Sequence, residues 1–111
     1  EILKVGRHFI LDTDKLLVVG RNQSENRKLE EQAWSNDWLI KAADRPGPLG
    51  LLRYSKDFNP ELLNYAAAIV ARYSDAKTLE MARVKVYQPA EENLSILEVP
   101  PLKPEEVPSV V

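Results

Sequence analysis

The chain reads as an α+β fold: a mainly antiparallel sheet built from β-hairpins, with two packed helices, in the order β-β-α-β-β-α-β-β. Three observations predict this. Short aliphatic runs come in pairs joined by tight turn sequences. Two helix-start signatures, Asn22 with Glu25 and Asn59 with Pro60, each follow such a pair. A single longer segment, residues 62–73, has apolar residues at helical spacing throughout.

Residues 5–11 form the first strand and residues 15–21 the second, around a turn at Asp12-Thr13-Asp14, whose side chains bond their own backbone. Asn22 accepts a backbone N–H as N-cap, and Glu25 stands at the third position to reach back, so the first helix runs from Glu25 to about Trp34. Its apolar stripe is narrow, carried by Leu29 and Ala33. Trp34 and Trp38, which bracket the next loop, are expected to pack in the core. Residues 38–43 and 49–54 form a second hairpin around Asp44-Arg45-Pro46-Gly47-Pro48, where proline and glycine dictate the turn. Asn59-Pro60-Glu61 opens the core helix, which ends near Asp75. Residues 83–87 alternate cleanly as a strand, with Val84 and Val86 inward. Residues 94–99 form the last strand. Beyond Pro100, closely spaced prolines predict extended, solvated backbone.

Composition narrows the function classes. The chain has 111 residues, 15 Lys+Arg, 17 Asp+Glu, no cysteine and one histidine. That excludes disulfides, thiolate metal sites and a cysteine nucleophile. It also argues against zinc, which would have to rest on carboxylates. No run is long and apolar enough to span a bilayer, so a cytoplasmic chain with no membrane partner is expected. The net charge of −2 hides an asymmetry: residues 88–111 hold five acids and one base, leaving 14 bases and 12 acids in residues 1–87. The body at 1–87 is thus mildly basic, and the expected organisation is one domain at 1–99 followed by an acidic, proline-rich tail or linker at 100–111. A start at Glu1 and the lack of catalytic residue types suggest a domain excised from a longer protein.

Several short motifs, in one order, carry a family resemblance. Gly20-Arg21-Asn22 with Glu25-Asn26, then Asp44-Arg45-Pro46-Gly47, then Tyr73-Ser74 at the end of the core helix resemble the NFACT-R domain, an RNA-binding module of NFACT proteins. The stretches KVGRHFIL and ADRPGPLGLL are more similar still to a variant found C-terminal to PP-loop tRNA thiouridylases. The resemblance spans residues 4–88. It implies an RNA-binding, in particular tRNA-binding, accessory domain partnered by the catalytic domain of its parent chain. It implies no catalysis and no cofactor in this domain, ATP belonging only to a fused PP-loop domain. One departure matters. The main family carries a histidine where Lys41 stands, and a Ser-His pair where Pro48-Leu49 follow Gly47, so no site built on those histidines carries over.

Candidate RNA-binding residues follow from charge and position. Lys41, Arg53, Arg83 and Lys85 alternate with apolar residues in their strands and would form one basic sheet face. Arg45, Arg27 and Lys28 would extend it. Arg21, beside a helix N-terminus, could help hold a phosphate; the rival reading pairs it with a nearby acid while Asn22 only caps. Asp44 is read as a turn residue that orients Arg45 or caps the turn, and Gly47 as supplying a backbone conformation that other residues resist. Tyr73 is read as closing the core, with base stacking as the alternative. Glu91, Glu92, Glu105 and Glu106 could fold back over the basic face and compete with phosphate. A protein-docking module that touches no RNA is the competing functional class; an exposed apolar patch containing Trp34 or Trp38 would favour it.

Overall fold

The structure, a computed structural model, describes residues 4–12, 14–54 and 58–111. Thr13, in the expected first turn, lies outside the described residues. Six strands and two helices follow the expected order: β1 (Arg7–Asp12), β2 (Lys15–Val19), α1 (Gln23–Gln32), β3 (Trp38–Ala42), β4 (Gly50–Tyr54), α2 (Pro60–Arg72), β5 (Ala82–Tyr87) and β6 (Leu94–Val99). The strands form one antiparallel sheet in the order β1-β2-β4-β3-β5-β6. β4 folds back to pair with both β3 and β2, so β1 and β6 are the edges.

The two faces are covered unequally. Helix α2 lies on one face, where Leu63, Ala66, Ala67, Ile69 and Val70 pack on Phe9, Leu17, Val19, Ile40, Leu52, Val84 and Val86. Its alanines let it approach closely: a Cβ on Gly50 of β4 would sit 2.5 Å from a Val70 methyl. Helix α1 takes the other face and, as its narrow stripe implies, buries one side chain of its own, Leu29, over Val18, Leu39, Leu49 and Leu51. The α1 face of β5 and β6 carries no helix.

Three expectations are corrected. The core helix stops at Arg72, and Ser74 caps a separate 3₁₀ turn, Asp75–Thr78, by accepting from the Ala76 N–H. Trp38 packs against the core, but Trp34 is 63% exposed. The chain beyond Pro100 is not solvated throughout: it forms a 3₁₀ turn at Pro104–Glu106, and Leu102 and Val107 rest on the α2-side core. The Leu102 N–H donates to the Ala68 carbonyl (3.2 Å), and the Val111 N–H donates to the His8 carbonyl (2.8 Å). Residues 100–111 therefore form a strap over the α2 face, from the β6 edge to β1.

Because Leu29 is the only side chain that α1 buries, Leu29→Ala is expected to lower folding stability by about 3 kcal/mol, measured by urea denaturation.

Candidate nucleic-acid interface

The turn into α1 is built from five motif residues, Gly20, Arg21, Asn22, Glu25 and Asn26. Asn22 Oδ1 accepts from the Glu25 N–H at 2.9 Å, the N-cap bond expected from the sequence. The Glu25 carboxylate reaches back to Arg21. It accepts from the Arg21 backbone N–H (2.9 Å), from Nε (2.9 Å) and from Nη2 (2.7 Å). The Arg21 guanidinium, with smaller help from backbone N–H groups of Arg21 and Gly6, lowers the Glu25 carboxyl to about 2 against an ordinary 4.5. The helix N-terminus thus already holds a carboxylate, so the anion site imagined there is occupied by the protein itself. Arg21 stays half-exposed and able to meet a second anion. Asn26 ties the helix to the sheet: its Oδ1 accepts from the Leu49 N–H at 3.1 Å, while the Gly20 N–H donates to the Leu49 carbonyl at 3.0 Å. Gly20 is needed for this approach, because a Cβ there would lie 2.0 Å from Asn26 Oδ1.

The β3–β4 turn meets the end of α2 in the same way. The Pro46 carbonyl accepts from the Asp75 N–H at 2.9 Å. A Cβ on Gly47 would lie 2.5 Å from the Ser74 Cβ, so glycine stands here for close packing rather than for a special backbone angle. Ser74 is buried, with its hydroxyl donating to the Ala71 carbonyl at 2.7 Å. Tyr73 packs on Phe9 (centroids 6.1 Å apart), and the Arg7 guanidinium lies over its ring at 4.9 Å. Tyr73 therefore closes the core with one side and meets the groove with the other.

These two junctions frame an open groove of about 960 Å³. Gly20, Arg21, Asn22 and Asn26 line one wall; Pro46, Gly47 and Tyr73 line another; Lys41, Lys85 and Tyr87 form part of the floor. Five cations (Arg7, Arg21, Arg27, Lys41 and Lys85) and one acid, Glu30, border it. Lys41 and Lys85 stand directly opposite each other on β3 and β5, which puts their Cβ atoms about 5 Å apart. Among the described residues neither has an ion-pair partner. Like charges in direct opposition cost stability, so this placement favours an anion. Burial, and secondarily the Glu30 charge, push the Tyr87 hydroxyl above its ordinary value, which keeps it a hydrogen-bond donor.

The other expected cations lie elsewhere. Arg53 shares the lysines' sheet face but sits toward the opposite end of the strands, under the α1–β3 loop. It donates to both carboxylate oxygens of buried Asp37 (3.0 and 2.7 Å), and its guanidinium lies 3.4 Å from the centre of the Trp34 ring. Asp37 also accepts from the Trp34 N–H at 2.7 Å. This cluster fastens the end of α1 to β4, and it explains why Trp34 is exposed without being loose. Arg83 faces Asp44 at 3.7 Å, both half-exposed, so Asp44 serves Arg83 rather than Arg45. Neither Arg83 nor Arg45 lines the groove. Arg7 was not a sequence candidate; its only signal was its place two residues before buried Phe9. The acidic residues do not cover the groove. Glu105 and Glu106 lie in the strap between Leu102 and Val107 on the α2 face, and the turn carrying Glu91 and Glu92 is tied to the α1–β3 loop through Gln88 and Ala90.

A family profile described as the NFACT protein RNA binding domain, NFACT-R_2, matches residues 6–110. The chain belongs to this family. The match takes in nearly all of the strap, well beyond the 4–88 expected from motifs. This NFACT-R_2 chain is similar in fold to the solved C-terminal part of the fibronectin/fibrinogen-binding protein from Streptococcus suis. That likeness has a TM-score of 0.76 at 21% identity and covers 89% of this chain and 46% of the other. The chain thus spans about half the length of that structure, and the likeness concerns the fold. The search of curated proteins gave no match. Among the described residues, no helix is long and apolar enough to cross a membrane.

Two outcomes test this geometry. Glu25→Gln should destabilise the domain at neutral pH. A carboxyl lowered on folding contributes fully above its unfolded value near 4.5 and loses that contribution as pH falls toward about 2. The gap between wild type and variant in thermal denaturation should therefore close across that window. Asp37→Ala removes the buried acceptor of the partly buried Arg53 guanidinium and of the Trp34 N–H, and should cost about 2 kcal/mol in chemical denaturation.

Proposed function

We propose that this NFACT-R_2 domain is an accessory module that binds tRNA through its basic groove, in the cytoplasm, beside a PP-loop tRNA-thiolating enzyme of the same parent chain. The observation that carries the RNA reading is the opposed Lys41–Lys85 pair, with Arg7, Arg21 and Arg27 around the same groove. Such a set neutralises backbone phosphates whatever the sequence, and the rigid walls at Gly20 and Gly47 select for shape. Tyr87 and the Asn26 side chain add polar groups for sugar or base contacts. The tRNA and thiolation context rests on the similarity of residues 4–11 and 43–52 to the thiouridylase-associated variant. In this reading the domain performs no chemistry and holds no cofactor; ATP would be bound by the PP-loop domain.

Fluorescence anisotropy with tRNA and with an unstructured RNA of equal length, from about 50 to 200 mM salt, tests the proposal. Affinity for tRNA should exceed that for the unstructured RNA and fall steeply with salt. Lys41→Ala and Lys85→Ala should each weaken binding several-fold and reduce the slope of log affinity against log salt by about 0.7–0.9. Arg83→Ala, outside the groove, should stay within about twofold of wild type. No detectable binding at low salt, or binding indifferent to salt, would overturn the reading in favour of protein docking.

A further inference from the structure

The two edges of the sheet are treated differently. β1 carries a register irregularity between Ile10 and Asp12, and its His8 carbonyl is already used by the Val111 N–H of the strap. Both features blunt an edge against further pairing. β6 has neither. It runs six residues in unbroken register with β5, contains no proline and no lysine, and among the described residues nothing pairs with its outer side. Its Leu94 and Ile96 side chains are 52% and 39% exposed on the sheet face that α1 leaves bare. Natural sheets rarely leave such an edge open unless something pairs with it.

The sequence of β6 indicates what that is. We propose that β6 pairs antiparallel with β6 of a second copy of this chain about a two-fold axis, joining the two sheets into one of twelve strands. With the axis at Ile96, each Ile96 opposes the partner's Ile96 and Ser95 opposes the partner's Leu97. Leu94 then opposes the partner's Glu98 and lies diagonal to the partner's Ile96, within reach of its side chain. The four exposed aliphatic side chains gather into one cluster on one face. No like charges oppose each other, and Glu98 keeps Arg83 as its neighbour on β5. Moving the axis to Ser95 would set Glu98 against the partner's Glu92, so the Ile96 register is favoured. An RNA strand is the poorer occupant: Leu94 and Ile96 are aliphatic, and bases stack on aromatic rings. The contact is small, on the order of 1,000 Å², which belongs to the weak and transient class. The dimer should therefore form in the micromolar range. The axis stands perpendicular to the sheet, so both basic grooves open on the same side.

Sedimentation equilibrium of the 111-residue chain from about 10 to 500 μM, a span suited to a weak contact, tests this directly. Wild type should pass from 12.6 kDa toward twice that mass as concentration rises. Ile96→Lys, which sets two lysines against each other, and Leu94→Glu, which sets a glutamate against the partner's Glu98, should each weaken association at least tenfold while keeping the wild-type circular dichroism. Backbone amides of residues 94–98 should exchange more slowly at high concentration in wild type and not in either variant. A wild type that stays monomeric throughout overturns the proposal. So does a dimer that both variants preserve, since its interface would then lie elsewhere.

Discussion

The hydrogen bond from the Leu49 N–H to Asn26 Oδ1 holds helix α1 against the sheet, and the groove exists because it does. Helix α1 buries only Leu29, so hydrophobic packing alone would leave it free to tilt. The Asn26 bond, made across a glycine with no side chain to interfere, fixes its first turn beside the start of β4. Glu25 and Arg21 brace the same turn, and the Arg53–Asp37 pair under Trp34 pins the other end. Three polar fastenings thus do what a wider apolar stripe would do in a larger helix. The Asn26 and Asp37 fastenings use partly buried hydrogen bonds, which are costly to leave unmade, whereas the Arg21–Glu25 brace lies at the surface.

The family motifs become intelligible in this light. They are joints more than contacts. Gly20 admits Asn26, Gly47 admits Ser74, and the Pro46 carbonyl receives the Asp75 N–H. Residues far apart in the chain meet at two junctions, and those junctions form the rims of one groove. The cations that face it come from β1, the α1 turn, β3 and β5. Of these, the lysine pair is the part that folding alone does not explain. A fold selected for stability would set an acid across from one of them; the chain does that for Arg83, Arg21 and Arg53 but not for Lys41 and Lys85.

The strand and helix order was legible because each element carries a local signal: alternation in β5, the Asn caps of both helices, proline and glycine in the β3–β4 turn. Site residues were legible only in part. Lys41, Lys85 and Arg21 reach the groove, whereas Arg53, equally placed by alternation, is claimed by Asp37. Alternation reports which face a side chain leaves from, and says nothing about which distant acid waits there. Trp34 departs from its expected core position for the same reason, since its partner is the Arg53 guanidinium rather than the core. The last twelve residues were misread because prolines describe local backbone stiffness, while Leu102 and Val107 find their places on α2 through contacts some thirty or more residues away.

The sequence by itself determined the α+β class, the hairpin–helix repeats, the capping of both helices and the family. The first three rest on short-range patterns, and the family rests on the order of several short motifs along residues 4–88. Only the tertiary structure decided which charges are free. It matched Arg53 to Asp37 and Arg83 to Asp44, left Lys41 facing Lys85, and carried the acidic strap to the opposite face of the sheet. The physical reason is that a net charge is a sum over the chain, whereas a binding surface is set by the charges left unpaired in one place. Strand order and loop contacts determine those pairings, and neither is written in the local sequence.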